Sequence, residues 1–122
     1  MKLSPALYLA VLLAAPVYAA ETRVIDVELG SYFIKPEKIS IKVGEPVTLK
    51  LTNSASVVPH DLKIVAPEAG IDVKVDVAAG KTASVSFTPT KIGTYEMICD
   101  KKLLFFTSHK DKGMHGVLEV TQ

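Results

Sequence analysis

The chain has 122 residues, with 14 Lys and Arg against 13 Asp and Glu, three histidines and a single cysteine. That length suits one small domain with one layered core, and the near-level charge excludes the strongly basic surface that nucleic acid binding needs. A lone cysteine excludes an internal disulfide framework.

In chain order, the first element is not a strand. Residues 1–19 open with Met1-Lys2, continue through an apolar run over 6–15 and end in the small residues around Val17-Tyr18-Ala19-Ala20. A basic start, a short apolar core and a Val17-x-Ala19 cleavage pattern predict a secretory signal peptide. A bilayer-spanning helix needs roughly 20 predominantly apolar residues, so an uncleaved anchor is the weaker reading. Cleavage near Ala19 leaves 20–122 as a single exported domain, periplasmic or in a comparable space, with no membrane span. It also removes Lys2 and brings the basic and acidic counts level.

The remaining chain reads in steps of two. Ile39-Ser40-Ile41-Lys42-Val43, Val47-Thr48-Leu49-Lys50-Leu51, Ile71-Asp72-Val73-Lys74-Val75-Asp76-Val77 and Ala83-Ser84-Val85-Ser86-Phe87 alternate apolar with polar, the signature of half-buried strands. Further strands are predicted over 23–29, 61–65, 94–99 and 117–121. Turn chemistry separates them at Gly44-Glu45-Pro46, Asn53-Ser54, Pro67 with Gly70, Ala79-Gly80-Lys81 and Pro89 to Gly93. No segment carries a sustained helical stripe. About eight short strands in one domain predict an all-β fold, a two-sheet antiparallel Greek-key sandwich.

The long stretch that fits no strand, 100–114, follows Cys99 and contains His109 and Met114, with His115 next to it; His60 stands upstream, just before a predicted strand. Unusually long loops in compact domains are disproportionately functional. With no second cysteine in the chain, Cys99 is left as half of an intermolecular disulfide, a buried inert thiol or a metal ligand. One thiolate, two imidazoles and a weak axial thioether form a trigonal copper set, in which soft sulfur favours Cu(I) and imidazole suits both oxidation states. Tyr95, Met97 and Cys99 share one parity, which places the thiol at the protected end of the sandwich if that parity faces the core.

These residues resemble the cupredoxins, the small blue copper proteins that include plastocyanin, amicyanin and azurin, over essentially the whole chain after the signal peptide. Phe33-x-x-Pro36 leading into Ile39 to Val47 is similar to the family's opening strands, and His60-Asp61-Leu62 to its first-histidine segment. Phe87-Thr88-Pro89 with Gly93-Thr94-Tyr95-Glu96-x-x-Cys99 is similar to the strand that enters the cysteine ligand. His109, Met114 and Gly116-Val117-Leu118-Glu119-Val120 are similar to the closing loop and last strand. The resemblance implies that His60, Cys99, His109 and Met114 hold one copper ion, with His115 as the alternative to Met114.

Two departures stand out. Nine residues separate Cys99 from His109, where familiar members have two to four, which implies a more open or less rigid site. Asp61 stands where the family often has an asparagine that ties the ligand loops together. Asp61 and Asp100 repel unless Lys63, Lys101 or a shared proton compensates.

The run Leu103-Leu104-Phe105-Phe106 reads either as an exposed docking platform or as a lid over the site, and Lys101, Lys102, Lys110 and Lys112 flank it. The leading expectation is a monomeric mobile electron carrier that serves a redox partner protein. The runner-up is a copper-trafficking protein that exchanges the ion with a donor or acceptor protein. An enzyme is not expected: a copper oxidase needs a further metal centre, and a dinuclear copper site needs a second cysteine.

Overall fold

The computed structural model describes residues 22–101 and 114–122. The expected signal peptide, His109 and the 103–106 run lie outside the described residues. Among the described residues the alternating runs form nine strands: β1 (Arg23–Gly30), β2 (Phe33–Lys35), β3 (Lys38–Lys42), β4 (Val47–Asn53), β5 (His60–Ala66), β6 (Ile71–Val77), β7 (Thr82–Phe87), β8 (Gly93–Ile98) and β9 (His115–Thr121). A 3-10 turn, Pro67–Ala69, precedes β6 and ends at Gly70 in the left-handed region. It realises the turn expected from Pro67 and Gly70.

The strands build two facing sheets, one in the order β2-β1-β4-β7 and the other β3-β9-β8-β5-β6. The all-β two-sheet sandwich predicted from the alternation is therefore present. The sheets are mixed rather than purely antiparallel: β1 runs parallel to β4, with Val24 opposite Thr48, and β3 runs parallel to β9, with Ile39 opposite Leu118. The cause is chain crossing. β1 and β2 form an antiparallel hairpin in one sheet, β3 passes to the other, and β4 returns to lie beside β1 in the same direction.

Alternation explains the core. In β4, Val47, Leu49 and Leu51 turn inward while Lys50 and Thr52 face out. Leu49, Leu51, Leu62, Ile64 and Leu118 are fully buried between the sheets, each contributing about 1.5–3 kcal/mol by leaving water. Close packing also demands a glycine at 116: a Cβ there would meet the Glu37 carbonyl oxygen at 2.5 Å and the Met97 terminal methyl carbon at 2.9 Å. The neighbouring Val117 N–H donates to that same Glu37 carbonyl at 2.7 Å, which pins β9 against the turn before β3.

Candidate metal centre

One end of the sandwich gathers the end of β4, the start of β5, the residue after β8 and the residue before β9. The expected ligands His60, Cys99 and Met114 all stand there, at 1%, 0% and 0% exposure.

His60 is the first residue of β5, and the segment that delivers it is fixed by Asn53. The Asn53 side-chain amide donates to the carbonyls of Val58 and Val77, both at 2.9 Å, and its oxygen accepts the Ala55 N–H at 2.9 Å. Asn53 itself is fully buried. One side chain thus joins the ends of β4 and β6 to the loop before His60. By sequence alone Asn53 reads only as a turn residue. Its signal was positional, a polar side chain on the inward parity of Val47, Leu49 and Leu51.

Cys99 follows β8. The pairing of Ile98 with His115 continues one step, with the Cys99 N–H donating to the Met114 carbonyl at 3.1 Å. Strand parity then separates 114 from 115: Met97, Cys99, Met114 and Gly116 lie inside, and His115 is exposed on the outer face. The arrangement brings Met114, and not His115, to the side of Cys99.

Cys99 Sγ lies 3.8 Å from His60 Nδ1 and accepts the Asp61 N–H at 3.4 Å. Burial pushes the Cys99 thiol up to about 11 from its ordinary 9.0; the Asp61 N–H opposes that rise and the Asp61 carboxylate adds to it. A bound metal cation reverses this balance by favouring the thiolate.

Asp61 does the tying that the resemblance associates with asparagine. Its carboxylate Oδ1 accepts the Asp100 N–H at 2.8 Å, joining the two ligand-bearing segments. The anticipated repulsion between Asp61 and Asp100 is met by Lys63, whose Nζ is 3.0 Å from Asp100 Oδ2 and 3.8 Å from Asp61 Oδ2. The hydrogen bond to Asp100 raises the Lys63 pKa. Lys101 turns instead to Asp76, 2.9 Å away, which raises its pKa in the same way. These residues line an open cleft together with Lys74 and Val75.

Among the described residues no three His, Cys, Asp or Glu side chains converge on one point; the described donors are an imidazole, a thiol and a thioether. These fit a copper ion. Metal–sulfur and metal–nitrogen bonds of about 2.3 and 2.0 Å allow one ion to touch two donors up to about 4.3 Å apart, and Sγ and Nδ1 are 3.8 Å apart. Thiolate, imidazole and thioether are also the donor types copper takes in both its oxidation states.

The sequence profile of the cupredoxin-like domain matches residues 3–119. No curated protein sequence matches the chain. Several solved structures share its fold. Dithionite-reduced auracyanin from Roseiflexus castenholzii is 19% identical, with a TM-score of 0.64 over 85% of this chain and 100% of its own. Auracyanin A, a "blue" copper protein from Chloroflexus aurantiacus, is 22% identical, with a TM-score of 0.58 over 80% of this chain and 99% of its own. The metal-binding domain of the Streptococcus pneumoniae Cu(I)-exporting P-type ATPase, solved with Cu(I), is 17% identical, with a TM-score of 0.57 over 81% and 85%. With the sandwich in place and the family profile spanning nearly all its residues, the chain belongs to the cupredoxin-like domain family.

Proposed function

We propose that this protein is an exported single-copper electron carrier, with the ion held by His60, Cys99, His109 and Met114. The observation that carries the reading is the buried approach of Cys99 Sγ to His60 Nδ1, with Met114 beside Cys99 on the neighbouring strand. Bound there, copper supplies a one-electron couple between Cu(I) and Cu(II). The protein's own residues do the rest. His60 and Cys99 present their donor atoms from opposite sides of a β5–β8 pairing, and the Asp61 N–H orients the sulfur. The surrounding core, with Met97 and Met114 fully buried, keeps water from the thiolate. His60, Cys99 and Met114, held by strand pairing and by Asn53, need little rearrangement when the charge changes, which suits electron exchange with a redox partner protein. No substrate chemistry enters this reading.

Export rests on the signal peptide expected over 1–19 from the sequence. The likeness to auracyanins, one of them a blue copper protein by its description, supports a redox role. The test is the visible absorption of the Cu(II)-loaded protein. An intense thiolate-to-copper band that disappears in Cys99→Ser supports the carrier, and protein that binds no copper overturns it.

A second reading, periplasmic copper trafficking, is favoured by the nine residues between Cys99 and His109 and by the likeness to a domain solved with Cu(I). Tight Cu(I) binding with no intense Cu(II) band, and copper transfer to an acceptor protein without redox turnover, mark that outcome.

A further inference from the structure

Asp61 carries a charge that the copper reading leaves unused. The residue is 3% exposed. Its N–H donates to Cys99 Sγ and its Oδ1 accepts the Asp100 N–H. Those two bonds need one main-chain donor and one side-chain oxygen, and an asparagine supplies both. Neither accounts for a carboxylate in a position where an isolated buried charge is costly. Among the described residues the nearest cation, Lys63, neutralises it only in part, at 3.8 Å. Lys63 Nζ is closer to Asp100 than to Asp61, and Lys101 Nζ sits on Asp76. Among the described residues the charge nearest the Cys99 segment is therefore negative, and the positive charges of Lys63 and Lys101 are shared with the more exposed Asp100 and Asp76.

We propose, resting on the copper reading, that the Asp61 carboxylate sets the oxidation-state preference of the site: with the Cys99 thiolate it places two negative charges in one buried region, which Cu(II) balances and Cu(I) does not. Lys63 moderates the preference by drawing part of that charge outward. Asp61 is a positioning residue through its two hydrogen bonds and a preference-setting residue through its charge, and the two roles separate by substitution. Asp61→Asn keeps the hydrogen bonds and removes the charge. Lys63→Gln removes the moderating cation and leaves Asp61 intact.

The test is the reduction potential of the copper-loaded protein, with the Ag(I) to Cd(II) affinity ratio of the same proteins as a redox-silent readout of ion charge. In Asp61→Asn the Cu(I) to Cu(II) affinity ratio is expected to rise at least about tenfold, which is about 59 mV upward for one electron. The Ag(I) to Cd(II) ratio should rise with it. In Lys63→Gln the potential should fall. A purely structural role would move both variants in one direction or neither, and either result overturns the proposal. Asp61→Asn protein that takes up copper yet keeps both ratios within twofold of wild type also overturns it, while the copper reading stands. Wild-type protein that binds no copper overturns both. If Asp61→Asn does not fold, the sign of the Lys63→Gln shift decides, a fall supporting the proposal and no shift refuting it.

Discussion

Replacing Asn53 with alanine isolates the device that places His60. The substitution removes two donors and one acceptor, leaving the Val58 carbonyl, the Val77 carbonyl and the Ala55 N–H without their present partner. The Val58 contact is only part-buried, so water can replace it. The other two are buried, and a buried polar group left unsatisfied costs about 1–3 kcal/mol. The loss is thus about 4 kcal/mol, a large share of the roughly 5–15 kcal/mol that stabilises a small domain. With a urea dependence of about 1.5 kcal/mol per molar, the unfolding midpoint should fall by about 2.5 M. Asn53→Asp should be at least as damaging, because a carboxylate would face two carbonyl oxygens. The exposed neighbour Ser54→Ala should stay within about 0.5 kcal/mol of wild type. Equilibrium urea unfolding of the metal-free proteins measures all three. An Asn53→Ala loss below about 1 kcal/mol would mean that the loop before His60 is held by its apolar contacts, and the staple argument would be wrong.

Metal-free protein should lose stability at high pH through Cys99. Its folded pKa, about 11, lies above the ordinary 9.0, so the thiol's contribution is complete below pH 9 and is lost as pH rises through about 11; urea midpoints between pH 8 and 11 should show a loss of about 2 kcal/mol in wild type and not in Cys99→Ser. His115→Ala should leave the copper spectrum unchanged, since that side chain is exposed on the outer face, whereas Met114→Leu should shift the band and the potential, as read by absorption and voltammetry. Gly116→Ala drives a Cβ into the Glu37 carbonyl and Met97 and should cost about 1–3 kcal/mol by overpacking, visible as a lower thermal midpoint.

Legibility in the sequence divided along physical lines. Strand parity was readable because burial imposes it: Val47, Leu49 and Leu51, or Met97 and Cys99, turn inward as their spacing requires. The same rule separates Met114 from His115 once both are known to lie at the start of β9. Strand direction was not readable, since Ile39 to Lys42 alternates identically whether its neighbour runs parallel or antiparallel, and β9 pairs with it in parallel. Asn53 was missed because turn propensity and buried stapling use the same residue type, and only its inward parity separates them. The Lys63 bridge between Asp61 and Asp100 was legible as one option among several, and choosing it needed the distances.

The long spacing between Cys99 and His109 has less bearing on the described ligands than the sequence first implies. Cys99 and Met114 face each other because the β8–β9 ladder, from Gly93 with Val120 to Ile98 with His115, extends one step further. That register is set by cross-strand bonds and inward packing, and not by the connection over 100–113. Nor does length weigh heavily in closing such a connection, since each doubling adds only about 0.6 kcal/mol of chain entropy. His60 is placed independently, by Asn53 from β4 and by the pairing of Lys63 with Ile98. Residues inserted after Asp100 therefore leave His60, Cys99 and Met114 where the sandwich puts them. The scaffold therefore fixes the spacing of the His60, Cys99 and Met114 side chains whatever the length of the connection, so shortening the 100–108 stretch should leave the metal-free stability of the sandwich within about 1 kcal/mol of wild type, as read by urea unfolding.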